Sequence, residues 1–277
     1  MKLYADDLKI YVFFKHESER LKLETAIAEV DKWGNRWGLT IAPNKTNVLH
    51  MGNNNPRSIY KLGNQNLCPT NQIKDLGVII NDNFSFEKYI NSIISRAYFK
   101  MRQLFHIIKS GSLKTWARAF TAYIRPIVEY STVIWNPKLK KFIGKIERVQ
   151  KYFTRTALTK CRLPYVPYPD RLKLFDLPTL ELRRHIFDMI MVYKIFNRYT
   201  HLNPRQFFAL SNRPSRKHNF QILMKYRKNK FCSWSSRITN HWNCLDKEIV
   251  NAGSVNDFKV KLIKYLHKNE NFLNSLS

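Results

Sequence analysis

The chain has 277 residues, which is enough for one large domain or two ordinary ones with a core that needs no disulfide bonds. Hydrophobic residues make up 44% of it and glycine occurs only 8 times, so an intrinsically disordered chain and a fibrous chain are both excluded. Its 48 Lys and Arg residues outnumber its 20 Asp and Glu residues, and the formal net charge of +28 indicates an anionic partner.

The first part of the chain is predicted to combine short strands with one helix. Alternating apolar residues over Leu8–Phe14 predict a strand that follows a turn. Apolar residues at three- and four-residue spacing over Leu21–Trp37 predict an amphipathic helix that has Trp33 and Trp37 on its apolar face and ends at Gly38. Further short strands are predicted at residues 39–41, 48–51 and 76–80.

After Asp82 the apolar period becomes helical and predicts four helices. Gly111 is placed to terminate the first of them, and Pro126 is placed to bend or end the second. The four helices cover residues 89–105, 113–124, 139–157 and 179–196. The predicted fold class is therefore α+β, with a strand-containing region over 1–82, a helical region over 83–200 and a basic helical region over 201–277.

The third predicted helix carries a basic face opposite an apolar stripe that contains Phe142, Ile146 and Phe153. Cations on successive helical turns can follow a phosphate backbone, although a merely solvated lysine-rich face is an equally open interpretation. The basic face consists of Lys138, Lys140, Lys141, Lys145, Arg148, Lys151 and Arg155, with Glu147 as its only acid.

A second basic stretch, residues 213–230, contains no acid. Arg216 and Lys217 are its candidate phosphate contacts, and bases could stack on the rings of Phe220 and Tyr226. The two rings could instead anchor a surface loop to the core. The sequence leaves both interpretations open.

Nucleic acid is the first partner that the charge of the chain predicts, because bound cations release counterions from a phosphate backbone. An anionic membrane surface is the second. No apolar run approaches the roughly 20 residues of a membrane helix, and the basic helices have no apolar side to spare for lipid. No membrane partner is therefore expected.

The four cysteines show neither a CxxC pair nor a regular spacing, which argues against a disulfide framework and a disulfide-linked partner. A reducing compartment, nuclear or cytoplasmic, is expected for a protein that is not secreted. Cys232, His241 and Cys244 could supply three ligands of a zinc site, but no fourth ligand is evident. Free thiols are the alternative.

Two adjacent carboxylates, Asp6 and Asp7, follow Tyr4 and Ala5 at the amino end of the chain. Such a pair suits phosphoryl transfer, because carboxylates hold the Mg²⁺ ions that bridge the attacking and leaving oxygens. Consecutive residues of a strand point to opposite faces, so the two can converge on a metal only at a tight turn. Aspartate is also an ordinary turn residue, and a hairpin tip of this sequence requires no metal.

Short motifs continue from this pair along about the first 200 residues. They are Tyr4-Ala5-Asp6-Asp7, Trp37-Gly38-Leu39-Thr40 with Asn44-Lys45-Thr46, Lys74-Asp75-Leu76-Gly77-Val78, Tyr123 to Tyr130 with Trp135-Asn136-Pro137, Ile146 to Gln150, Arg171-Leu172, and Leu180 to Arg184. In this order they resemble the reverse transcriptase of non-LTR retrotransposons, LINE-type elements of the jockey kind. The resemblance is specific because many separate motifs occur in the right order.

The resemblance implies an RNA-directed DNA polymerase, a nucleotidyltransferase whose partners are an RNA template and a DNA primer or an RNA–DNA hybrid. Asp6 and Asp7 would be its catalytic residues and would bind Mg²⁺, with two ions in a complete enzyme. Lys45 would lie near the incoming nucleotide. The residues implied to support the primer end are Leu76, Gly77 and Val78. Residues 1–82 would be a remnant of the palm sheet, and residues 83–200 would form a helical thumb.

The sequence also departs from that family. The upstream palm strand with its own metal-binding aspartate, the fingers and the endonuclease are not found in it, so we expect a fragment that does not polymerise by itself. Two further interpretations remain open. One is a module that binds RNA or an RNA–DNA hybrid without catalysis, and the other is a retrotransposon relic that has no function.

Overall fold

The computed structural model describes residues 1–14, 16–211, 218–223 and 234–269. The chain divides into two compact units, Met1–Phe86 and Glu87–Ser277. The first unit mixes strands with one helix and the second is mainly helical, which confirms the α+β class. Three regions were predicted. The core of the second unit, however, runs across the predicted boundary at residue 200.

Within the described residues, the first unit contains four two-stranded sheets and one α-helix. The antiparallel pairs are β1 with β2, β4 with β5, and β7 with β8, whereas β3 and β6 pair in parallel. The elements are β1 (Lys2–Tyr4), β2 (Asp7–Lys9), α1 (Glu17–Arg36), a 3₁₀ turn (Pro43–Lys45), β3 (Asn47–Leu49), β4 (Lys61–Leu62), β5 (Gln65–Asn66), β6 (Cys68–Thr70), β7 (Gln72–Asp75) and β8 (Val78–Asn81).

The α1 helix confirms the predicted amphipathic helix, but its apolar face is turned relative to the prediction. Its buried residue is Gly34, where an added Cβ atom would lie 2.7 Å from the carbonyl oxygen of Leu39. This close backbone approach turns that side of the helix inward, and Trp33 and Trp37 are 54% and 66% exposed. Gly38 follows the helix with a φ of +69°, as expected for a terminating glycine.

The predicted strands of the first unit are only partly correct. The strand predicted over Leu8–Phe14 is wrong beyond Lys9, because β2 ends there. Residues 39–41 form no strand, whereas β3 and β8 fall close to two of the predicted strands. Leu76 and Gly77, which were predicted inside a strand, form the turn between β7 and β8.

In its described residues the second unit is built from helices and one antiparallel strand pair, β9 with β10. Its elements are α2 (Glu87–Ile107), α3 (Leu113–Ala119), a π-helical turn (Phe120–Ile124), α4 (Arg125–Glu129), α5 (Thr132–Trp135), α6 (Lys140–Lys160), α7 (Tyr168–Phe175), α8 (Leu180–Phe196), α9 (Pro204–Phe207), β9 (Ala209–Leu210), β10 (Ile222–Leu223), α10 (Trp234–Cys244), α11 (Lys247–Val250) and α12 (Val255–Lys268).

The four predicted helices are confirmed as α2, α3, α6 and α8, with two corrections at their ends. The α2 helix ends at Ile107, so Gly111 does not terminate it. The helix that begins at α3 does not stop at Pro126, because the chain continues through the π-helical turn into α4. Regular α-helical hydrogen bonding is interrupted just before Pro126, which accommodates a residue that has no N–H group to donate.

Two aromatic-rich cores position the helices of the second unit. Phe153 of α6 packs against Trp116 and Phe120 at ring-centroid distances of 6.1 Å and 5.0 Å. Trp242 of α10 packs between Phe196 of α8 and Phe258 of α12 at 5.3 Å and 6.1 Å. In the described part of the chain, no helix has both the length and the apolarity of a bilayer span, and Cys68, Cys161 and Cys244 are free thiols.

Candidate functional site

The acidic pair lies at the tip of the hairpin that β1 and β2 form. Tyr4 pairs with Asp7, so Ala5 and Asp6 make a two-residue loop. Ala5 has a φ of +51°, in the left-handed region where side chains are costly and a small one is least so. Asp6 and Asp7 are both exposed. The turn therefore presents two adjacent carboxylates to solvent instead of burying them in a sheet.

A second hairpin is joined to the first by an ion pair. Lys9 in β2 contacts Asp75, the last residue of β7. The loop that follows consists of Leu76 and Gly77, with φ values of +44° and +85°. Positive φ at both central residues is what a type I′ hairpin turn requires. The motif predicted to support a primer is thus a tight turn attached to the strand that carries Asp7.

The structure also places the other residues that the resemblance assigned to the first unit. Lys45 is exposed at the end of the 3₁₀ turn, immediately before β3. Val78 is buried, whereas Leu76 and Gly77 are exposed. The exposure of Lys45 leaves its ammonium group accessible to solvent.

The exposed carboxylates fit one mode of Mg²⁺ binding. Mg²⁺ is commonly held by one or two protein carboxylates, with water and substrate phosphates completing its coordination. Asp6 and Asp7 supply two such groups. Among the described residues, no group of three or more His, Cys, Asp or Glu side chains could hold a metal ion. The predicted zinc ligand Cys232 lies outside the described residues, and His241 and Cys244 lie on α10.

The basic face of the third predicted helix lies on α6. Three of its cations lie over aromatic rings: Lys141 Nζ is 4.6 Å and Lys145 Nζ 5.7 Å from the ring centroid of Phe142, and Lys151 Nζ is 5.1 Å from that of Tyr168. Apart from the half-buried Lys145, the cations of this face are exposed. We call this face the α6 basic surface, and it consists of Lys138, Lys141, Lys145, Arg148, Lys151 and Arg155.

Glu147 was predicted on the basic face, and this assignment is wrong. The side chain is 8% exposed and points into the unit, where both oxygens accept the backbone N–H of Leu180 at 3.3 Å and 3.1 Å. The hydroxyl of Tyr168 donates to the same carboxylate. The α6 basic surface therefore contains no acid.

The second basic stretch is only partly described. Arg216, Lys217 and Tyr226 lie outside the described residues. Phe220 packs on Phe196 at 5.3 Å beside the core of the second unit. This contact favours the interpretation of Phe220 as a core anchor.

Sequence reasoning missed a buried ionic cluster, which we call the Asp188 cluster: Asn136, Arg184, Asp188 and Arg237. Both oxygens of Asp188 accept from Arg237, at 3.0 Å from Nε and 3.1 Å from Nη2. Asn136 donates to Asp188 at 2.8 Å and accepts from Arg184 at 3.0 Å. Burial raises the pKa of Asp188, and the charge of Arg237 opposes this effect. The sequence signal was the spacing of Arg184 and Asp188, which lie one turn apart on α8 and therefore share a face.

Several motifs that carried the resemblance meet in the interior of the second unit. Arg183 donates to the Glu129 carboxylate, with Nη2 2.9 Å from Oε2. Asn136 belongs to the Asp188 cluster. Glu147 holds the start of α8, and Arg171 of α7 donates to the Thr154 hydroxyl of α6 at 3.2 Å. These motif residues act as structural contacts between helices.

No family model matches this chain. No solved structure matches it either. A Caenorhabditis elegans protein described as uncharacterized is 24% identical to it over 123 residues, which make up 44% of this chain. The chain spans 62% of the length of that relative. Its name states no activity, so the argument for function depends on the residues of this chain.

A buried histidine pair predicts how stability depends on pH. His185 of α8 meets His241 of α10 at a ring-centroid distance of 4.7 Å, and burial, with the charges of His241 and Arg237, lowers the pKa of His185 to about 3. A lowered folded-state pKa stabilises the protein fully above the unfolded value of about 6.5, and this contribution is lost as the pH falls toward 3.

We expect the free energy of unfolding of the second unit to fall by roughly 1–2 kcal/mol between pH 6.5 and 5 through this group. Urea titrations followed by tryptophan fluorescence at several pH values measure the slope. His185→Phe should flatten it. The matched change His201→Phe, at an exposed histidine, should leave it unaltered. Equal slopes in both variants would assign the pH dependence to other groups.

Proposed function

We propose that this chain is a segment of an RNA-directed DNA polymerase of the non-LTR retrotransposon kind. In this proposal the β1–β2 turn presents Asp6 and Asp7 to Mg²⁺, and the second unit holds the nucleic acid. The activity of the family is addition of deoxynucleotides to a primer 3′ end. The resemblance of the ordered motifs supplies the reaction class, and the geometry of the first unit supports it.

One observation carries the proposal. The Lys9–Asp75 ion pair joins the strand after the acidic turn to the strand before the Leu76-Gly77 turn. The strand that begins at Asp7 and the strand that ends just before the Leu76-Gly77 turn, far apart in sequence, are therefore in contact. A polymerase requires this proximity, because the primer 3′ end has to reach the metal-bound nucleotide.

The two carboxylates and the exposed turn suit Mg²⁺ on chemical grounds. The ion would supply charge stabilisation to the transferring phosphoryl group. Asp6 and Asp7 would hold it from the tip of the hairpin, and water and phosphate oxygens would complete its coordination. Lys45 would contribute a positive charge beside the incoming nucleotide.

Metal-directed cleavage of the protein tests this site directly. We expect Fe²⁺ in place of Mg²⁺, with ascorbate and peroxide, to cleave the backbone near the β1–β2 turn when an RNA–DNA hybrid and a deoxynucleotide are present. Asp6→Asn and Asp7→Asn should abolish this cut. The control is Asp176→Asn, because Asp176 is an exposed helix-end residue with a φ of +50° that asparagine tolerates.

Primer extension with Mg²⁺ and deoxynucleotides separates catalysis from binding. We do not expect this segment to extend a primer by itself. Extension that Asp6→Asn abolishes, while hybrid affinity is unchanged, would support the polymerase proposal beyond that expectation. If the wild-type chain shows no cut near the turn under these conditions, the metal-binding role of the pair is wrong.

A second candidate function is a module that binds RNA or an RNA–DNA hybrid without catalysis. The α6 basic surface favours it, because five of its six cations lie on α6, Lys138 lies just before that helix, and the predicted acid is buried. Helical cations on successive turns suit a phosphate backbone regardless of base sequence. Salt-sensitive hybrid binding without extension, and without a cut at the turn, would support this candidate.

A further inference from the structure

A shallow groove of about 380 Å³ lies between α2 and α6 on the second unit. Lys145 and Arg148 line it from α6, at the edge of the α6 basic surface. From α2 the lining residues are Asn91, Ile94, Ser95 and Tyr98. No acid lines the groove, so its charge is positive.

The α2 side of the groove was not identified from the sequence, although it has a regular pattern. Asn91, Ser95 and Tyr98 are spaced by one helical turn each and therefore share a face of α2. Sequence analysis followed the apolar stripe of this helix. These polar residues form the wall of a groove only because α6 packs beside α2.

The contacts within the groove orient its polar groups. Lys145 Nζ lies 3.4 Å from Asn91 Oδ1, which leaves the Asn91 amide N–H groups for a ligand. Tyr98 packs edge-on against Tyr152 of α6 at 5.6 Å, which fixes the Tyr98 ring. Burial raises the pKa of Tyr98, and the positive charge of Arg148 opposes this effect. The Tyr98 hydroxyl therefore remains a hydrogen-bond donor close to a guanidinium group.

We propose that the groove between α2 and α6 binds the sugar–phosphate backbone of a nucleic-acid strand. Lys145 and Arg148 contact phosphates, and the Asn91 amide, Ser95 hydroxyl and Tyr98 hydroxyl bind phosphate or sugar oxygens. This inference rests on the proposed nucleic-acid binding and gives it a location. A bare cationic face would attract any anion, whereas here three uncharged donors on α2 face two cations on α6, and the pair of walls suits a strand that offers both phosphate and sugar oxygens.

Fluorescence anisotropy with the full chain tests the groove on an RNA–DNA hybrid, duplex DNA and single-stranded RNA. The test variant is Lys145→Gln with Arg148→Gln. The control is Lys259→Gln with Lys264→Gln, which removes the same charge from the exposed face of α12. Thermal melts followed by tryptophan fluorescence verify that both variants fold.

We expect the test variant to bind about tenfold more weakly than wild type and to lower the slope of log K against log salt by about 2. The control should change the affinity by less than about threefold, because its charges act only through the screened field of the protein. Tyr98→Phe, which keeps the ring and removes one donor, should weaken binding by roughly threefold.

The outcomes distinguish nucleic-acid binding by the chain from the assignment of that binding to the groove. If wild type binds no nucleic acid, the proposed binding function fails, and the groove assignment fails with it. If wild type binds but the test variant matches the α12 control, the groove assignment alone is wrong. An effect on a heparin oligosaccharide without an effect on any nucleic acid also contradicts it.

Discussion

Replacing Asp188 with alanine is expected to lower the free energy of unfolding of the second unit by about 3–5 kcal/mol. Asp188 is 1% exposed and neutralises Arg237 through two hydrogen bonds. Without the carboxylate, the guanidinium would keep only the carbonyl oxygens of Asn136 and Val133, at 3.0 Å and 3.4 Å. A buried charge that loses its counter-ion is among the costliest changes a core can undergo.

The size of this effect follows from the position of the cluster between three elements. Arg237 belongs to α10, Asp188 to α8, and Asn136 follows α5 directly. Removal of one carboxylate therefore loosens all three elements. Urea unfolding followed by tryptophan fluorescence reports this unit, because Trp116, Trp135 and Trp242 are each 0–1% exposed.

Two further variants distinguish a buried ion pair from an exposed one. Asp170→Ala removes a carboxylate whose ion-pair partner is the exposed Lys173, and it should cost less than about 1 kcal/mol. Asp188→Leu combined with Arg237→Leu should recover much of the stability that Asp188→Ala loses, since apolar residues leave no unpaired charge. A loss below about 1 kcal/mol in Asp188→Ala would show that the cluster contributes little.

Four helices of the second unit could be predicted because each buries a continuous apolar stripe. Periodicity alone located α2, α3, α6 and α8. The short strands were predicted less well, because pairs of two to four residues contain too few side chains to show alternation. The buried face of α1 was predicted wrongly, because periodicity counts apolar side chains and the buried Gly34 has none.

The polar interior could not be predicted because its partners are far apart in the sequence. Glu147 has basic neighbours in the sequence and was therefore predicted on a solvated face. Only its contact with the start of α8 shows that it is buried. The ion pair between Lys9 and Asp75 likewise could not be predicted, because the two residues lie far apart in the sequence. The acidic turn at Asp6 was accessible to sequence reasoning because a hairpin tip is a local structure.

Removal of the Glu147 side chain should also strongly lower the free energy of unfolding of the second unit, although less than removal of Asp188. The backbone N–H of Leu180 is one of the donors at the start of α8 that have no partner inside the helix. Glu147 accepts it at 3.1 Å, and its negative charge faces the positive end of the α8 dipole. Burial, and then the charge of Glu147, raises the pKa of Tyr168, so the tyrosine stays protonated and donates to the carboxylate.

We expect Glu147→Ala to lower the free energy of unfolding of the second unit by about 2–4 kcal/mol, because two buried donors lose their acceptor. Glu147→Gln keeps the shape and one acceptor oxygen, so it should cost about half as much or less. Tyr168→Phe removes one donor to Glu147 and also the hydroxyl that accepts from the Gln150 amide at 3.1 Å, so it should cost roughly 1–2 kcal/mol.

The double variant Glu147→Ala with Tyr168→Phe completes the thermodynamic cycle. Its loss of unfolding free energy should be smaller than the sum of the two single losses. In the double variant the tyrosine hydroxyl is absent, so the loss of Glu147 leaves no unpaired hydroxyl donor. Additive losses would mean that the two side chains do not interact in solution. If Glu147→Ala leaves stability unchanged but strengthens hybrid binding, the predicted place of this acid on the basic face of α6 would be supported over the buried one, because an exposed carboxylate there would repel phosphates.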